Sequence, residues 1–298
     1  MKKILIVGGG GFIGSNLSRS LRQNGFDVTL ILNKRKKNNN FIKRKTKSLY
    51  CDILNIKKLN STIKHHYDVF INCSGNIDHS NKKQTLKAHH IGTRNLVKIA
   101  EKRNLKLFIQ IGSSLEYGNL KSPQKEKIIS KPKSIYGKAK YLASQEILNS
   151  KLKKFLILRL YQVYGPYQKS DRLIPFVINS CLKEKQFPCS SGEQLRDFLF
   201  INDFTILINR ILRVKKKYNS GIYNVGTQKP YKVKHVINLI KKLTGKGNPN
   251  FGEIKMRKEE QLNLYPNIEK INSFLNWKSR TTLANGLKKT IKFYNNNN

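Results

Sequence analysis

Tyr136 and Lys140 stand four residues apart in a segment whose residue types could transfer protons. Ser134 is a suitable helix N-cap, and the apolar residues after it recur at helical spacing, which predicts a helix with Tyr136 and Lys140 on one face. An ammonium beside a phenol favours the phenolate, so the pair could act as a general acid or base near neutral pH. Ser113, which follows a predicted strand, could hydrogen-bond the same substrate oxygen.

A second pair, Tyr117 and Lys121, has the same spacing. The chain holds 13 tyrosines and 59 lysines and arginines, so about two or three such pairs are expected by chance. Asn119 and Pro123 predict a turn around Tyr117, whereas Tyr136 and its partner lie on a continuing helix. The Tyr136 pair is therefore the predicted chemical pair.

A glycine-rich turn near the amino terminus could bind a phosphate group. Gly8, Gly11 and Gly14 follow an apolar run without alternation at residues 4–7, which predicts a strand buried on both faces. Apolar residues then recur every four positions, so a helix is predicted to begin at the turn. Glycines at this spacing let a pyrophosphate approach main-chain N–H groups at the positive end of a helix. A purely structural turn has the same letters, but the strand before it and the helix after it favour a dinucleotide site.

The end of the second predicted strand, residues 27–32, bears on which dinucleotide binds. An acidic residue normally holds the ribose 2′-hydroxyl at this point. This chain instead has Asn33, Lys34 and Arg35 after the strand, and the two cations would pair with a 2′-phosphate. The sequence therefore favours NADP(H), with NAD(H) as the alternative.

Strand and helix patterns alternate along the first half of the chain. This alternation predicts an α/β fold with a doubly wound parallel sheet of the Rossmann type, and ligands at the carboxyl ends of its strands. At 298 residues the chain also has room for a smaller C-terminal α/β substrate lobe. We expect a dinucleotide-binding domain at residues 1–165, with a return segment at 195–228, and a substrate-binding lobe at 166–194 and 229–298.

The formal net charge is +42, from 59 basic against 17 acidic residues, which raises the question of nucleic acid or an anionic membrane as a partner. The basic residues are spread along the chain and form tight groups only at residues 34–47 and 215–217. A general bias toward lysine and asparagine explains the charge better, although such a surface would attract an anionic nucleotide. We expect neither nucleic acid nor a membrane as a partner.

Cysteine and histidine patterns predict no metal site. The four cysteines form no C-x-x-C pair and have no histidine at zinc-ligand spacing, so reduced thiols in the core are expected. The pairs His65–His66 and His89–His90 would point in different directions on a regular element, and no carboxylate is expected beside them. The short apolar run after Met1 stops at glycine and does not predict a signal peptide, so we expect a cytoplasmic protein.

With the glycine turn, the serine-ended strand and the tyrosine helix in this order, the chain resembles the extended short-chain dehydrogenases/reductases of the NAD-dependent epimerase/dehydratase family over nearly its whole length. The resemblance implies that Ser113, Tyr136 and Lys140 are catalytic and that Lys140 also holds the nicotinamide ribose. It further implies a homodimer packed through helices that include the Tyr136 helix. The residues implied for cofactor binding are Gly8, Gly11, Phe12, Ile13, Gly14, Asn33, Lys34, Arg35, Asp52, Ile53, Tyr136 and Lys140.

Later stretches resemble the parts of the family that bind a nucleotide-sugar substrate. Residues 158–166 resemble the strand that leads toward the sugar nucleotide, with Gln162 in place of a common asparagine. Arg196 matches an arginine that grips the substrate diphosphate, and a fork of donors suits phosphate. Arg257 would be a second diphosphate ligand. The implied substrate-binding residues are Ser114, Gln162, Arg196 and Arg257.

Departures from the family pattern narrow the implied reaction. Dehydratases of the family have Asp-Glu directly after the catalytic serine or threonine, and this chain has Ser114 and Leu115 there, so we expect no water elimination. His89 replaces the family's asparagine before the Gly-Thr pair, which bears on the usual proton-relay water. Residues 173–194 and 251–257 resemble the nucleotide-linked 4-keto-6-deoxyhexose reductases of surface-polysaccharide pathways, the group that includes CDP-abequose synthase.

The leading hypothesis is an NAD(P)-dependent reductase of a nucleotide-linked 4-keto-6-deoxyhexose. A nucleotide-sugar 4-epimerase would use the same residues twice, so the sequence leaves this alternative open. An alternative of another class is a non-catalytic nucleotide- or RNA-binding protein. The joint presence of Ser113, Tyr136 and Lys140 argues against that class.

Overall fold

The computed structural model describes residues 1–33, 46–76, 81–214, 219–256 and 260–296. The strands, in chain order, are β1 (Lys3–Val7), β2 (Asp27–Leu32), β3 (Lys47–Tyr50), β4 (Val69–Asn72), β5 (Leu107–Ser113), β6 (Phe155–Leu160), β7 (Gln162–Tyr164), β8 (Gln186–Cys189), β9 (Leu195–Phe200), β10 (Gly221–Val225), β11 (Pro230–Lys232), β12 (Asn248–Phe251) and β13 (Asn263–Leu264). The helices are α1 (Phe12–Gln23), α2 (Ile56–Thr62), α3 (Lys82–Leu86), α4 (Gly92–Lys102), α5 (Ile135–Leu148), α6 (Leu173–Leu182), α7 (Ile201–Arg213), α8 (Val233–Thr244), α9 (Glu269–Leu275) and α10 (Leu283–Asn295). A π-helical turn at Lys87–Ile91 connects α3 to α4, and a 3₁₀ turn at Ser114–Tyr117 follows β5.

The chain divides into two compact units. The first consists of Met1–Leu120, Glu126–Leu160 and Leu207–Asn224, and the second of Lys121–Lys125, Tyr161–Ile206 and Val225–Asn298. The segment that returns to the first unit, Leu207–Asn224, is therefore shorter than the expected segment 195–228. The physical reason is that β9 pairs with strands of the second unit and not with the sheet of the first.

The sheet of the first unit has the strand order β3-β2-β1-β4-β5-β6-β10. Strands β1 to β6 pair in parallel with their neighbours, and β1 is buried on both faces along its apolar run. The strand order reverses direction between β1 and β4, which is where doubly wound sheets bind ligands. The predicted α/β doubly wound fold is confirmed.

The end of β4 is fixed beside the glycine turn. Asn72 is fully buried, and its Nδ2 donates to Gln110 Oε1 at 2.9 Å and to Thr93 Oγ1 at 3.1 Å. Its Oδ1 accepts from the backbone N–H of Ser74 at 3.0 Å. Gly8 has a φ of +77°, and a Cβ there would lie 2.7 Å from the Cα of Ser74. Position 8 therefore requires glycine, which allows the turn after β1 to lie against the end of β4.

The second unit is built around β9. This strand pairs in parallel with β7 and β13 and antiparallel with β11, while β8 and β12 form a separate parallel pair. Helices α6, α8 and α10 pack against one another. Within the described residues of both units, no helix has the length and apolar content needed to cross a bilayer.

Candidate active site

Helix α5 carries the predicted chemical pair. Ser134 Oγ accepts from the N–H of Gly137 at 3.0 Å, so the predicted N-cap is confirmed. Lys140 is buried, and its Nζ donates to the carbonyl oxygen of Ile111 at 2.7 Å. The same Nζ lies 5.9 Å from the centroid of the Tyr136 ring. The ammonium is therefore held between the phenol ring and the carboxyl end of β5.

Ser113 ends β5, and the first turn of α5 lies against the residues that follow it. The Ser113 hydroxyl accepts from the N–H of Leu115 at 3.2 Å. Gly137 permits the close approach of the helix, because a Cβ there would collide with the carbonyl oxygen of Leu115. The strand end that carries Ser113 and the helix that carries Tyr136 and Lys140 are therefore adjacent.

His89 lies directly against Tyr136. The two rings meet edge to face, with centroids 5.1 Å apart and an interplanar angle of 90°. His89 Nε2 is 2.9 Å from the carbonyl oxygen of Asn76, and the imidazole occupies the space that a Cβ at Gly75 would need. His89 belongs to the π-helical turn, a feature that often occurs at functional sites. The residue that replaces the expected asparagine thus contacts the predicted acid.

Sequence reasoning missed a buried ion pair next to Ser113. Glu116 and Arg159 are fully buried, with Oε2 and Nε 3.0 Å apart. Ser144 Oγ donates to the same Oε2 at 2.7 Å, and the Ser113 N–H donates to Oε1 at 2.8 Å. The sequence feature that could have indicated this ion pair is the lone arginine inside the apolar run 155–163, because a buried charge requires a partner. The identity of the partner depends on the fold.

Tyr117, the other tyrosine with a lysine four residues after it, is part of the buried core. It is fully buried, and its hydroxyl donates to Asn224 Oδ1 at 2.8 Å. The Arg159 guanidinium lies 4.3 Å from the centroid of its ring. Burial raises the pKa of Tyr117 to about 12, which makes it a poor proton donor near neutral pH. Tyr136 is only half-buried, so part of it is accessible.

The turn between β1 and α1 fits the phosphates of a dinucleotide. Gly11 is the N-cap of α1, and because it has no side chain, it gives no side-chain cap to the first-turn N–H groups of this helix. A Cβ at Gly14 would lie 2.5 Å from the carbonyl oxygen of Gly8, whereas a Cβ at Gly11 would approach no atom of the described residues closer than 3.5 Å. Phe12 and Ile13 are half-buried in the same turn. An uncapped helix N-terminus with space beside it suits an anion.

The residues predicted to bind the nucleoside part follow neighbouring strands. Asn33 is exposed directly after β2, and Asp52 and Ile53 come just after β3, which pairs with β2. Asp52 is exposed and Ile53 is buried. Lys34 and Arg35, on which the preference for NADP(H) depends, lie outside the described residues.

The predicted substrate-binding residues are divided between the units. Ser114 is buried in the 3₁₀ turn of the first unit. In the second unit, Gln162 is exposed at the start of β7, and Arg196 is buried on the neighbouring β9. Arg196 Nη2 lies 2.8 Å from Glu260 Oε1, so its guanidinium is already paired with a carboxylate. Arg257 lies outside the described residues.

The cysteines and histidines form no metal site among the described residues. All four cysteines are free thiols, and three of them are buried. The expectation that no carboxylate accompanies the histidine pairs is wrong for His66, whose Nε2 lies 3.8 Å from Asp68 Oδ1, and for His90, whose Nε2 lies 2.7 Å from Glu146 Oε1. Arg94 Nε donates to the same carboxylate oxygen at 2.9 Å, which makes this an ion-pair cluster. No three His, Cys, Asp or Glu residues within the described ranges could hold a metal ion together.

The sequence and the fold of the chain are similar to those of known proteins. Residues 4–226 match the NAD dependent epimerase/dehydratase family. A putative UDP-glucose 4-epimerase of Methanocaldococcus jannaschii is 29% identical over 99% of this chain and 99% of its own length, and CDP-abequose synthase of Salmonella muenchen is 33% identical over 46% of this chain and 47% of its own length. The solved structure of UDP-glucuronic acid 4-epimerase from Bacillus cereus, in complex with UDP-glucuronic acid and NAD, is 24% identical with a TM-score of 0.87, and the match covers 99% of this chain and 100% of that one. The predicted resemblance is confirmed, and the chain belongs to the NAD-dependent epimerase/dehydratase family of enzymes.

Proposed function

We propose that the chain is an NAD(P)-dependent reductase of a nucleotide-linked 4-keto-6-deoxyhexose. The observation that carries the proposal is the buried ammonium of Lys140, held by the Ile111 carbonyl beside the ring of Tyr136. Ser113 ends the same strand that supplies this carbonyl. A phenol and an ammonium on α5, together with a hydroxyl at the end of the adjacent β5, suit the reduction of a ketone, which uses a proton donor and a group that polarises the carbonyl. Similarity to CDP-abequose synthase supports this class of substrate.

Each of these side chains has a separate task in the proposed reaction. A bound nicotinamide cofactor supplies the hydride. Ser113 polarises the C4 carbonyl by donating a hydrogen bond to its oxygen, and Tyr136 gives its proton to that oxygen. Lys140 keeps the phenol poised and holds the nicotinamide ribose. The ring of His89 packs against Tyr136 and restricts its rotation.

Water elimination does not fit the residues at this site. Ser114 and Leu115 occupy the two positions after Ser113, where elimination needs an acid and a base. The nearby Glu116 is fully buried and is bonded to Arg159, Ser144 and the Ser113 N–H. Its carboxylate is therefore occupied and cannot substitute for the missing pair.

The proposed cofactor is NADP(H), with NAD(H) as the alternative. Strand β2 is followed by Asn33 and then by Lys34 and Arg35, so cations stand where a ribose-binding carboxylate is usual. The epimerase of Bacillus cereus was solved with NAD, which keeps NAD(H) open. We propose that the substrate diphosphate binds Arg196 and Arg257, in competition with Glu260 for Arg196. A homodimer in the cytoplasm, with no nucleic-acid or membrane partner, stays a prediction.

A nucleotide-sugar 4-epimerase is the second candidate. The similarity to the putative UDP-glucose 4-epimerase of Methanocaldococcus jannaschii, which extends over 99% of this chain, favours it. An epimerase would use Tyr136 first as a base and then as an acid, with no net change in the cofactor. Cofactor turnover therefore separates the two functions.

The decisive assay offers CDP-, dTDP-, UDP- and GDP-linked 4-keto-6-deoxyhexoses to the enzyme with NADPH or NADH. We expect one substrate class to oxidise the cofactor, and Tyr136→Phe to lower kcat by about 10²–10⁴-fold because the proton donor is lost. Tyr141→Phe is the matched control, since it removes the same hydroxyl from the same helix outside the proposed site. In a parallel assay with the corresponding 4-hydroxy nucleotide sugars, their interconversion without cofactor consumption would assign the epimerase. Full activity of Tyr136→Phe would contradict the role of Tyr136 in both functions, whereas a wild type that turns over none of these sugars would favour a non-catalytic binding protein.

A further inference from the structure

One carboxylate, that of Glu116, joins three elements of the first unit. Its Oε1 accepts from the N–H of Ser113, at the end of β5, at 2.8 Å. Its Oε2 accepts from Arg159 Nε on β6 at 3.0 Å and from Ser144 Oγ on α5 at 2.7 Å. None of these four residues is more than 8% exposed. The cluster is therefore a buried connection between two neighbouring strands and the helix that carries the proposed acid.

Ser144 belongs to the helix face that carries the proposed chemistry. Tyr136, Lys140 and Ser144 follow one another at intervals of four residues, so they line up along one side of α5. Lys140 attaches the middle of this row to the Ile111 carbonyl, and Ser144 attaches its far end to Glu116. Two contacts thus fix the rotation of α5 relative to the end of β5.

Stability alone is a weak explanation for this cluster. A buried ion pair gives little net stability, because desolvation of both charges offsets their attraction. The backbone also accommodates the carboxylate: a Cβ at Gly112 would lie 2.8 Å from Glu116 Oε1. Two of the three groups that bind Glu116 belong to Ser113 and to the Tyr136 helix, which points to a role in the geometry of the site.

We propose that Glu116 is a positioning residue, which sets the placement of Tyr136 and Lys140 relative to Ser113 by anchoring both elements to one carboxylate. Arg159 holds that carboxylate in place from β6. The inference rests on the proposed role of Tyr136, but it assigns a function to residues that do not touch the substrate.

Ser144→Ala is the primary test, because it removes one hydrogen bond and leaves the ion pair of Glu116 and Arg159 intact. We expect kcat to fall by about 10-fold to about 10²-fold, since a misplacement of about 1 Å can cost this much. KM for the sugar substrate should stay unchanged. Ser61→Ala, an exposed serine on α2, is the matched control and should change none of these quantities.

Glu116→Gln tests the anchor itself. It leaves the Arg159 charge without its counter-ion, so its Tm is measured separately and kcat is compared well below that Tm. If both residues act through one anchor, Glu116→Gln combined with Ser144→Ala should lose no more kcat than Glu116→Gln alone. If the losses of kcat in the two single variants multiply in the double variant, the two residues act independently and the proposal is overturned.

A merely structural cluster gives a different result. In that case Ser144→Ala would lower Tm while its kcat at lower temperature equals that of the wild type, which would overturn the positioning role. This outcome together with an inactive Tyr136→Phe would overturn the inference and leave the proposed function intact. An active Tyr136→Phe would instead overturn the proposed function.

Discussion

Asp197 shows how burial changes the chemistry of a single side chain. It lies on β9, fully buried, and accepts from the N–H of Thr227 at 2.8 Å and from its hydroxyl at 2.9 Å. Burial raises the pKa of Asp197 from 3.8 to about 6, because desolvation of the carboxylate outweighs these hydrogen bonds. The folded protein therefore binds this proton more tightly than the unfolded chain does.

We predict that the stabilising contribution of the Asp197 proton is lost as the pH rises through about 6. The contribution is complete below the unfolded pKa of 3.8, and a shift of about two units corresponds to at most about 3 kcal/mol. Urea unfolding of the wild type and of Asp197→Asn at about pH 5 and about pH 7 measures it. The wild type should lose stability relative to the variant over this range. A difference between the two proteins that is the same at both pH values would contradict the prediction.

At the residue scale, the sequence identifies chemical types but not their burial. Tyr117 and Tyr136 have the same spacing to a lysine, and local turn signals favoured Tyr136. The physical distinction, a buried hydroxyl bonded to Asn224, depends on a strand far along the chain. In the same way, Arg159 could be recognised as a charge in need of a partner, but only the fold selects Glu116.

At the element scale, the turn between β1 and α1 contains two kinds of glycine. Gly14 allows the helix to approach the turn, because a Cβ there would lie 2.5 Å from the carbonyl oxygen of Gly8. Among the described residues, the nearest atom to a Cβ at Gly11 would be the carbonyl oxygen of Gly8 at 3.5 Å, and the φ of −81° is one that other residues readily adopt. Packing thus requires Gly14, whereas only the proposed ligand requires Gly11.

We predict different effects of the same substitution at these two positions. Gly14→Ala should lower the free energy of unfolding by about 1–3 kcal/mol, the usual cost of overpacking. Gly11→Ala should leave Tm nearly unchanged and weaken NADPH binding, because its methyl group would stand beside the N–H groups that receive the phosphates. Tm and NADPH fluorescence titration on both variants measure these effects. If Gly11→Ala binds NADPH as tightly as the wild type, the diphosphate does not lie at this turn.

Local elements were predictable, and elements that depend on distant contacts were not. The strand β1 and the capped helix α5 follow from an apolar run and from a serine at the right position. The π-helical turn was not expected, because its register places His89 against a ring on another helix. Likewise, β9 was assigned to the return segment, but its pairing with β7, β11 and β13 decides its sheet.

For the whole molecule, the dominant property is the formal charge of +42. Acidic residues are few, and several of them already form ion pairs. The positive charges of most basic residues are therefore not balanced by a negative charge. Such a net charge destabilises the compact state through self-repulsion and attracts anions. Ion pairs that consume acidic groups include His90 and Arg94 with Glu146, Lys106 with Asp68, Arg159 with Glu116 and Arg196 with Glu260.

We predict that salt stabilises this protein and slows its capture of substrate. Salt screens charges over a Debye length of about 10 Å at about 0.1 M, so Tm should rise mostly below about 0.3 M and then level off. The rise should be the same in NaCl and KCl, because screening depends on ionic strength. Over the same range kcat/KM for the anionic nucleotide sugar should fall, since the attraction that steers it is screened. A Tm that falls with salt, or that climbs steadily without levelling, would show that self-repulsion does not limit the stability of the fold.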